Sequence, residues 1–187
     1  MKKCIIIYFI CISNLLISQT RIGINFGMNY VNLDNSQSKD VDFPYKYTFL
    51  YRGGFCGNTI LNGKYNLNYG IFLSQRGGRA PGFFGFSNIN YIWHTAELPI
   101  EIHRKIFNRA YLGMGIAISY YLSQAVILYD DRLFNSDVIL SSRYELSKQF
   151  SFEASYRFCS FNVWIENREA YMFNSFNLSV NYRFIKL

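Results

Sequence analysis

The feature that most constrains this chain is an alternation of apolar and polar residues with a period of two. In the clearest case, residues 21–30 read R-I-G-I-N-F-G-M-N-Y, so every second side chain is large and apolar. Residues two apart lie on the same face of a β-strand, and their neighbours lie on the opposite face. An amphipathic helix would instead need apolar residues three and four apart. The pattern therefore predicts amphipathic β-strands.

The same alternation recurs along the whole chain. Five segments are regular, and in the second of them only Phe72 interrupts the polar face; they are residues 21–30, 64–74, 112–120, 150–158 and 175–184. Three further segments, 49–61, 91–103 and 138–146, are less regular because glycines, Pro99 or mixed faces blur the period. The total predicts about eight strands.

The segments between these strands alternate in length. The long ones, 32–48, 75–88, 123–136 and 162–172, have about 17, 14, 14 and 11 residues. The short ones, 62–63, 104–108 and 147–149, have about 2, 5 and 3, and the first is an Asn-Gly pair suited to a type I′ turn. Short turns at one end and longer loops at the other are typical of outer-membrane barrels with an even strand number. We predict an all-β, eight-stranded antiparallel up-and-down transmembrane barrel.

The polar face indicates which way the barrel wall is oriented. It carries Gly, Asn, Ser, Arg and Glu, which suit a lumen just wide enough to be filled by side chains. We expect an ionic network there, formed by Lys64, Glu97, Glu101, Arg143, Glu145, Glu153, Arg157 and Arg183. Aromatic residues near strand ends would form interfacial girdles, and they include Tyr30, Phe49, Tyr65, Tyr120, Tyr144, Phe150 and Phe184. A soluble barrel with its apolar face inside is the alternative.

The amino terminus predicts export. A basic start, Lys2 and Lys3, precedes an apolar run over residues 4–17, which is typical of a cleaved signal peptide. We assign residues 1–18 to this signal and residues 19–187 to the barrel domain. Cleavage lowers the formal charge from +7 to about +5.

Composition excludes two classes of protein. A chain that is 50% hydrophobic and 19% aromatic is not disordered, and no later stretch has the ~20 apolar residues of a spanning helix. Basic residues are scattered except for a group at Arg104, Lys105 and Arg109, so we expect no nucleic-acid partner.

Catalytic and metal-binding patterns are weak. His94 and His103 should lie on opposite faces of one strand, so no metal or cofactor is expected. An enzyme would depend on His94 with Ser87 and Asp130, whose spacing supports no triad. After cleavage, Cys56 and Cys159 could be a disulfide or two free thiols. We therefore predict a protein that is not an enzyme.

Three motifs resemble the PorT-like outer-membrane β-barrel family of Bacteroidetes, which has the small-barrel architecture of the OmpA and OmpX type. They are G-I-F-L-S-Q-R-G at 70–77, A-E-L-P-I at 96–100 and Y-L-G-M-G at 111–115. The carboxyl end, with Tyr182 and Phe184, resembles a barrel-assembly signal but continues to Leu187. The resemblance implies an outer-membrane location and use of the barrel-assembly machinery, and it implies no activity.

We therefore expect a monomeric, integral outer-membrane protein with a structural or accessory role, surrounded by outer-membrane lipid. Alternatively, the protein is an interaction module of a secretion complex or an adhesin-like surface protein, and its long loops present aromatic side chains to the partner. The candidate contacts are Tyr45, Tyr47, Phe83, Phe84, Phe86 and Trp164. An outer-membrane lipid enzyme and a soluble lipocalin-like lipid binder stay open as further alternatives.

Overall fold

A computed structural model describes residues 20–34, 48–80, 89–124, 134–162 and 172–186. They form eight strands: β1 Thr20–Asp34, β2 Thr48–Asn62, β3 Tyr65–Ala80, β4 Ile89–Lys105, β5 Ala110–Gln124, β6 Phe134–Glu145, β7 Phe150–Asn162 and β8 Met172–Lys186. The predicted signal peptide and all six candidate loop contacts lie outside the described residues.

The strands close into a barrel in chain order. Each strand pairs antiparallel with the next, and β8 pairs antiparallel with β1, from Arg21 opposite Lys186 to Asp34 opposite Met172. Closure leaves no strand edge unpaired, so all eight strands have neighbours on both sides. The predicted eight-stranded up-and-down barrel is confirmed.

The period of two places apolar side chains on the outside of this barrel. On β1, Phe26 is 63% exposed and Met28 is 46% exposed, whereas Asn25 and Asn29 between them are buried. The other regular strands repeat the pattern, with their aliphatic and aromatic side chains outside and Asn, Ser and charged side chains inside. A soluble protein has the opposite arrangement. Among the described residues, no helix is long and apolar enough to cross a membrane.

Aromatic side chains cluster towards the two ends of the outer surface. At the long-loop end, Tyr30 packs against Phe49 with ring centroids 4.8 Å apart, and Tyr120 packs against Phe134 at 5.1 Å. At the short-turn end, Phe150 packs against Tyr182 at 4.8 Å. The remaining predicted girdle residues, Tyr65, Tyr144 and Phe184, are also exposed.

The strands are longer than the sequence pattern predicts. They have 12 to 17 residues, so the long connections shrink to 35–47, 81–88, 125–133 and 163–171. The difference arises because backbone pairing continues after the apolar face has ended, as from Arg76 to Ala80 on β3. The alternation of long and short connections is nevertheless confirmed.

Two local predictions need correction. The first turn is Gly63-Lys64 and is not type I′, since Gly63 lacks the positive φ that this turn requires. Asn62 shapes it instead, because its Oδ1 accepts from the N–H groups of Lys64 and Tyr65, both at 2.9 Å. Because proline lacks the N–H that a strand ladder needs, the sequence also predicts a bulge or the periplasmic rim at Pro99. In the structure Pro99 causes no bulge and does not lie at the rim. It lies within β4, where its missing N–H accompanies a local gap in pairing with β3.

Candidate functional site in the barrel lumen

The inward face of the strands concentrates charged side chains. Among the described residues, five buried arginines and five buried or half-buried carboxylates face the lumen. They are Arg52, Arg76, Arg143, Arg157 and Arg183 with Glu97, Glu101, Asp137, Glu145 and Glu153. The two sets balance in charge. This is the condition under which ionised groups are tolerated away from water.

Glu97 is the centre of the largest cluster. Its side chain is 1% exposed, and its carboxylate accepts from Arg52 Nε at 3.2 Å, Arg76 Nη2 at 3.1 Å and Arg157 Nη1 at 2.7 Å. These three arginines project from β2, β3 and β7 respectively. One carboxylate on β4 therefore joins three other strands across the lumen.

Asp137 on β6 completes this cluster. It accepts from Arg76, and its Oδ2 lies 4.0 Å from Arg157 Nη1. Arg76 also donates to Ser119 Oγ at 2.8 Å, and Arg52 lies over the ring of Phe72 at 3.7 Å. The inward Phe72, which interrupts the polar face in the sequence, thus provides a cation–π surface.

A second cluster contains serine, histidine and glutamate but lacks catalytic geometry. Ser141 Oγ donates to Glu101 Oε2 at 2.6 Å and lies 3.2 Å from His103 Nε2, which is itself 3.1 Å from the same Glu101 oxygen. A relay needs the acid and the serine on different ring nitrogens. Here Nδ1 has no hydrogen-bond partner among the described residues. His103 is also 0% exposed, so a substrate could not reach it.

A third cluster lies at the short-turn end. Arg183 donates to Glu145 at 2.9 Å and to Ser151 Oγ at 3.1 Å, and the Tyr111 hydroxyl donates to Glu145 at 3.3 Å. Arg143 lies over the Tyr111 ring at 4.7 Å. These contacts close the lumen near its short-turn opening.

Side chains leave little free space between the clusters. A cavity of about 30 Å³, lined in part by Cys56, Asn58, Arg143 and Glu153, lies among them. That volume holds one or two water molecules. Cys56 is a free, half-buried thiol, and the side chain of Cys159 is outside the described structure. At the level of this cavity, buried polar and charged side chains fill the lumen between the described strands.

The residues predicted to form the ionic network make different contacts in the structure. The structure pairs Glu97 with Arg157 and Glu145 with Arg183, whereas Glu101 binds His103 and Ser141. Arg143 donates to Asn68 at 2.8 Å, and Glu153 accepts from Asn181 at 3.4 Å. The placement of Lys64 in the network is wrong, because Lys64 lies exposed in the first turn, beyond the end of the lumen.

Sequence reasoning missed Arg52, Arg76, Asp137 and His103 as members of these clusters. Arg52 lies in a strand whose period Gly53 and Gly54 obscure. Arg76 falls in the predicted connection 75–88, and Asp137 falls between the predicted connection 123–136 and the predicted strand 138–146. Their positions in the two-residue alternation could have revealed them, because residues an even number apart share one face of a strand. Arg76 lies two residues after Ser74, and Asp137 two before Ile139, on faces that are buried.

The other candidate sites gain no support from the geometry. His94 is exposed and His103 buried, on opposite faces as predicted. Within the described ranges, no group of three His, Cys, Asp or Glu residues is arranged to hold a metal ion. Ser87 and Asp130, the partners considered for His94, lie outside the described residues.

Comparisons with known proteins place the fold. Neisserial surface protein A is similar with a TM-score of 0.55 and 9% identity over 87% of this chain and 97% of its own. The outer membrane protein OprG from Pseudomonas aeruginosa gives 0.54 and 9% over 88% and 95%. Ail, the attachment invasion locus protein of Yersinia pestis, solved with the heparin analogue sucrose octasulfate, gives 0.50 and 12% over 89% and 99%.

At such low identities these similarities concern the fold and do not extend to ligands. No protein-family model and no curated protein sequence matches the chain. The chain therefore has the fold of the small outer-membrane β-barrels.

Proposed function

We propose that the chain is an integral outer-membrane protein with a structural or accessory role. The observation that carries this proposal is the inverted polarity of the barrel. Large apolar side chains such as Phe26, Phe55 and Leu73 are more than 60% exposed, while arginines and glutamates are buried inside. In water this arrangement would expose an unusually large apolar surface. In a bilayer the same surface faces lipid, and closure gives every strand a hydrogen-bonded neighbour on both sides.

The aromatic clusters support the same orientation. Tyrosine and phenylalanine gather near both ends of the outer surface, at positions where membrane barrels carry interfacial girdles. Strands of 12 residues or more exceed the 9–11 that cross a bilayer at the usual tilt. The short turns would then face the periplasm, and the long connections would face outward.

Several finer statements belong to this proposal. Residues 1–18 act as the cleaved export signal, the barrel-assembly machinery inserts the chain, and the protein is a monomer related to the PorT-like family of Bacteroidetes. The geometry around His103, where Ser141 and Glu101 both lie on Nε2, favours a non-enzymatic role for the described lumen. The packed lumen supports a scaffold more than a solute channel.

Membrane fractionation combined with gel electrophoresis tests the proposal. A closed barrel resists detergent until it is heated, so the protein should appear in the outer-membrane fraction and migrate differently before and after boiling. Recovery as a soluble periplasmic protein with no mobility change would contradict it.

A further inference from the structure

The turn between β4 and β5 combines exposed apolar and basic side chains. It reads K-I-F-N-R from residue 105 to residue 109, and Phe107 is 73% exposed. Arg104, Lys105 and Arg109 are exposed around it. Glu145 is linked to this turn through its N–H, which donates to the Arg109 carbonyl at 2.8 Å. The Glu145 carboxylate, however, binds Arg183 inside the barrel. The turn therefore presents positive charge that this carboxylate does not neutralise.

Two apolar grooves lie on the outer surface beside this turn. The larger has a volume of about 770 Å³, and Ile106 and Phe107 line it together with Leu112, Tyr144, Phe152 and Leu178. Small outward residues, Ser142 and Ala154, also line this groove. The depression is suited to a flexible hydrocarbon chain, because neighbouring side chains do not fill it.

The second groove lies on the other side of Leu112. Its volume is about 430 Å³, and Ile102, Arg104, Met114 and Leu140 line it. Register explains the arrangement, since Leu112 pairs with Arg104 on one side and with Ser142 on the other. Arg104 can thus lay its aliphatic stem along the groove and keep its guanidinium at the rim. Two apolar grooves separated by one leucine share a single basic rim.

We propose that this turn and its two grooves bind one diacyl phospholipid with an anionic headgroup, one acyl chain lying in each groove. The inference rests on the proposed membrane location, in which the short turns lie at the periplasmic face. The phosphate would lie between Arg104 and Arg109, where positive charge and hydrogen-bond donors coincide. Phe107 would lie at headgroup depth, as interfacial aromatic side chains do.

Native mass spectrometry of the protein purified in detergent tests this site. Phosphatidylglycerol and phosphatidylcholine with identical acyl chains are the two probes, and inorganic phosphate is the soluble competitor. We expect phosphatidylglycerol to be retained about tenfold more than phosphatidylcholine, since each basic residue near an anionic headgroup contributes to the free energy of binding. Arg104→Gln with Arg109→Gln should abolish the preference. Ala154→Phe should reduce retention of both lipids by filling the larger groove.

The matched control is Lys64→Gln with Lys148→Gln, which removes two exposed charges from the neighbouring turns without touching residues that line either groove. This control should retain the preference. If both double variants lost the preference for phosphatidylglycerol equally, the site would be disproved, and the preference would come from diffuse electrostatic attraction to the basic turns. If inorganic phosphate displaced the lipid completely and Ala154→Phe had no effect on retention, the site would bind a free anion and the lipid proposal would be wrong. Heat-dependent gel mobility of each sample shows separately whether the barrel itself is intact.

Discussion

At the scale of single residues, Glu97 is the position on which most lumen charge depends. Its two oxygens accept from three guanidiniums, and no other described carboxylate contacts Arg52. A charge that is buried without a partner costs far more than a paired one. Glu97 pairs with all three arginines, whereas Asp137 pairs with Arg76 and lies 4.0 Å from Arg157. The clusters therefore have one centre whose loss affects several strands together.

Replacing this centre should be strongly destabilising. Glu97→Gln keeps the shape of the side chain but removes its charge, so Arg52 and Arg157 lose their closest anionic partner. We expect the free energy of unfolding to fall by about 3–5 kcal/mol. Urea unfolding of the barrel in lipid vesicles, followed by gel mobility, measures this.

Glu145→Gln is the matched control for Glu97→Gln. Glu145 also binds an arginine, Arg183 at 2.9 Å, but its side chain is 19% exposed near the short-turn opening. Water can replace part of that contact, so the loss should be roughly 1 kcal/mol. Equal midpoints for native protein and Glu97→Gln would show that the central cluster contributes no net stability.

At the scale of strands, the sequence period predicts which face a residue occupies but not its height along the barrel axis. Arg76 and Asp137 illustrate this limit. Both occupy inward-facing positions of their strands. They meet only because the registers of β3, β4, β5 and β6 place them at the same height along the barrel axis. Register depends on pairing across the whole sheet, which a single strand does not encode.

Strand ends were also difficult to predict from the sequence. The apolar pattern stops where the outer surface no longer needs to be apolar, whereas hydrogen bonding continues into the segment 75–80. This difference placed Arg76 in a loop and hid its role in the lumen. The five strands with unbroken alternation, and the inward direction of their polar residues, were predictable because a half-buried strand requires that alternation.

Lumen glycines let adjacent strands approach closely, and Gly115 on β5 is the clearest case. A Cβ placed there would lie 2.1 Å from the Ile100 carbonyl oxygen and 2.7 Å from Glu101 Cα. Both are backbone atoms that cannot rotate away. Gly115→Ala should therefore lower the free energy of unfolding by about 1–3 kcal/mol, as overpacking does elsewhere.

Gly63→Ala provides the comparison for Gly115→Ala. A Cβ at Gly63 meets nothing within 4 Å, and the turn conformation there does not need glycine. Its urea midpoint should match that of the native protein. If Gly115→Ala were equally neutral, the close approach of β4 and β5 would not be a constraint on folding.

At the scale of the whole molecule, the polar residues occupy the space that a wider barrel would leave to water. Eight strands enclose a lumen that side chains can fill. Here charged clusters fill it at three levels, around Glu97, Glu101 and Glu145. This arrangement gives the barrel an apolar outer surface and a lumen filled by charged and polar side chains. It also has a direct consequence for permeability.

The native barrel should not let small solutes cross a bilayer. The cavity found among the described lumen clusters holds one or two waters, and the Glu97 cluster, with Asp137, joins five strands across the lumen. Vesicles containing the folded protein should therefore swell in a pentose solution no faster than empty vesicles. A wide-pore porin in the same lipid is the positive control, and gel mobility verifies folding. Swelling that rises in proportion to the amount of folded barrel would mean that the charged clusters open, and the protein would then be a channel.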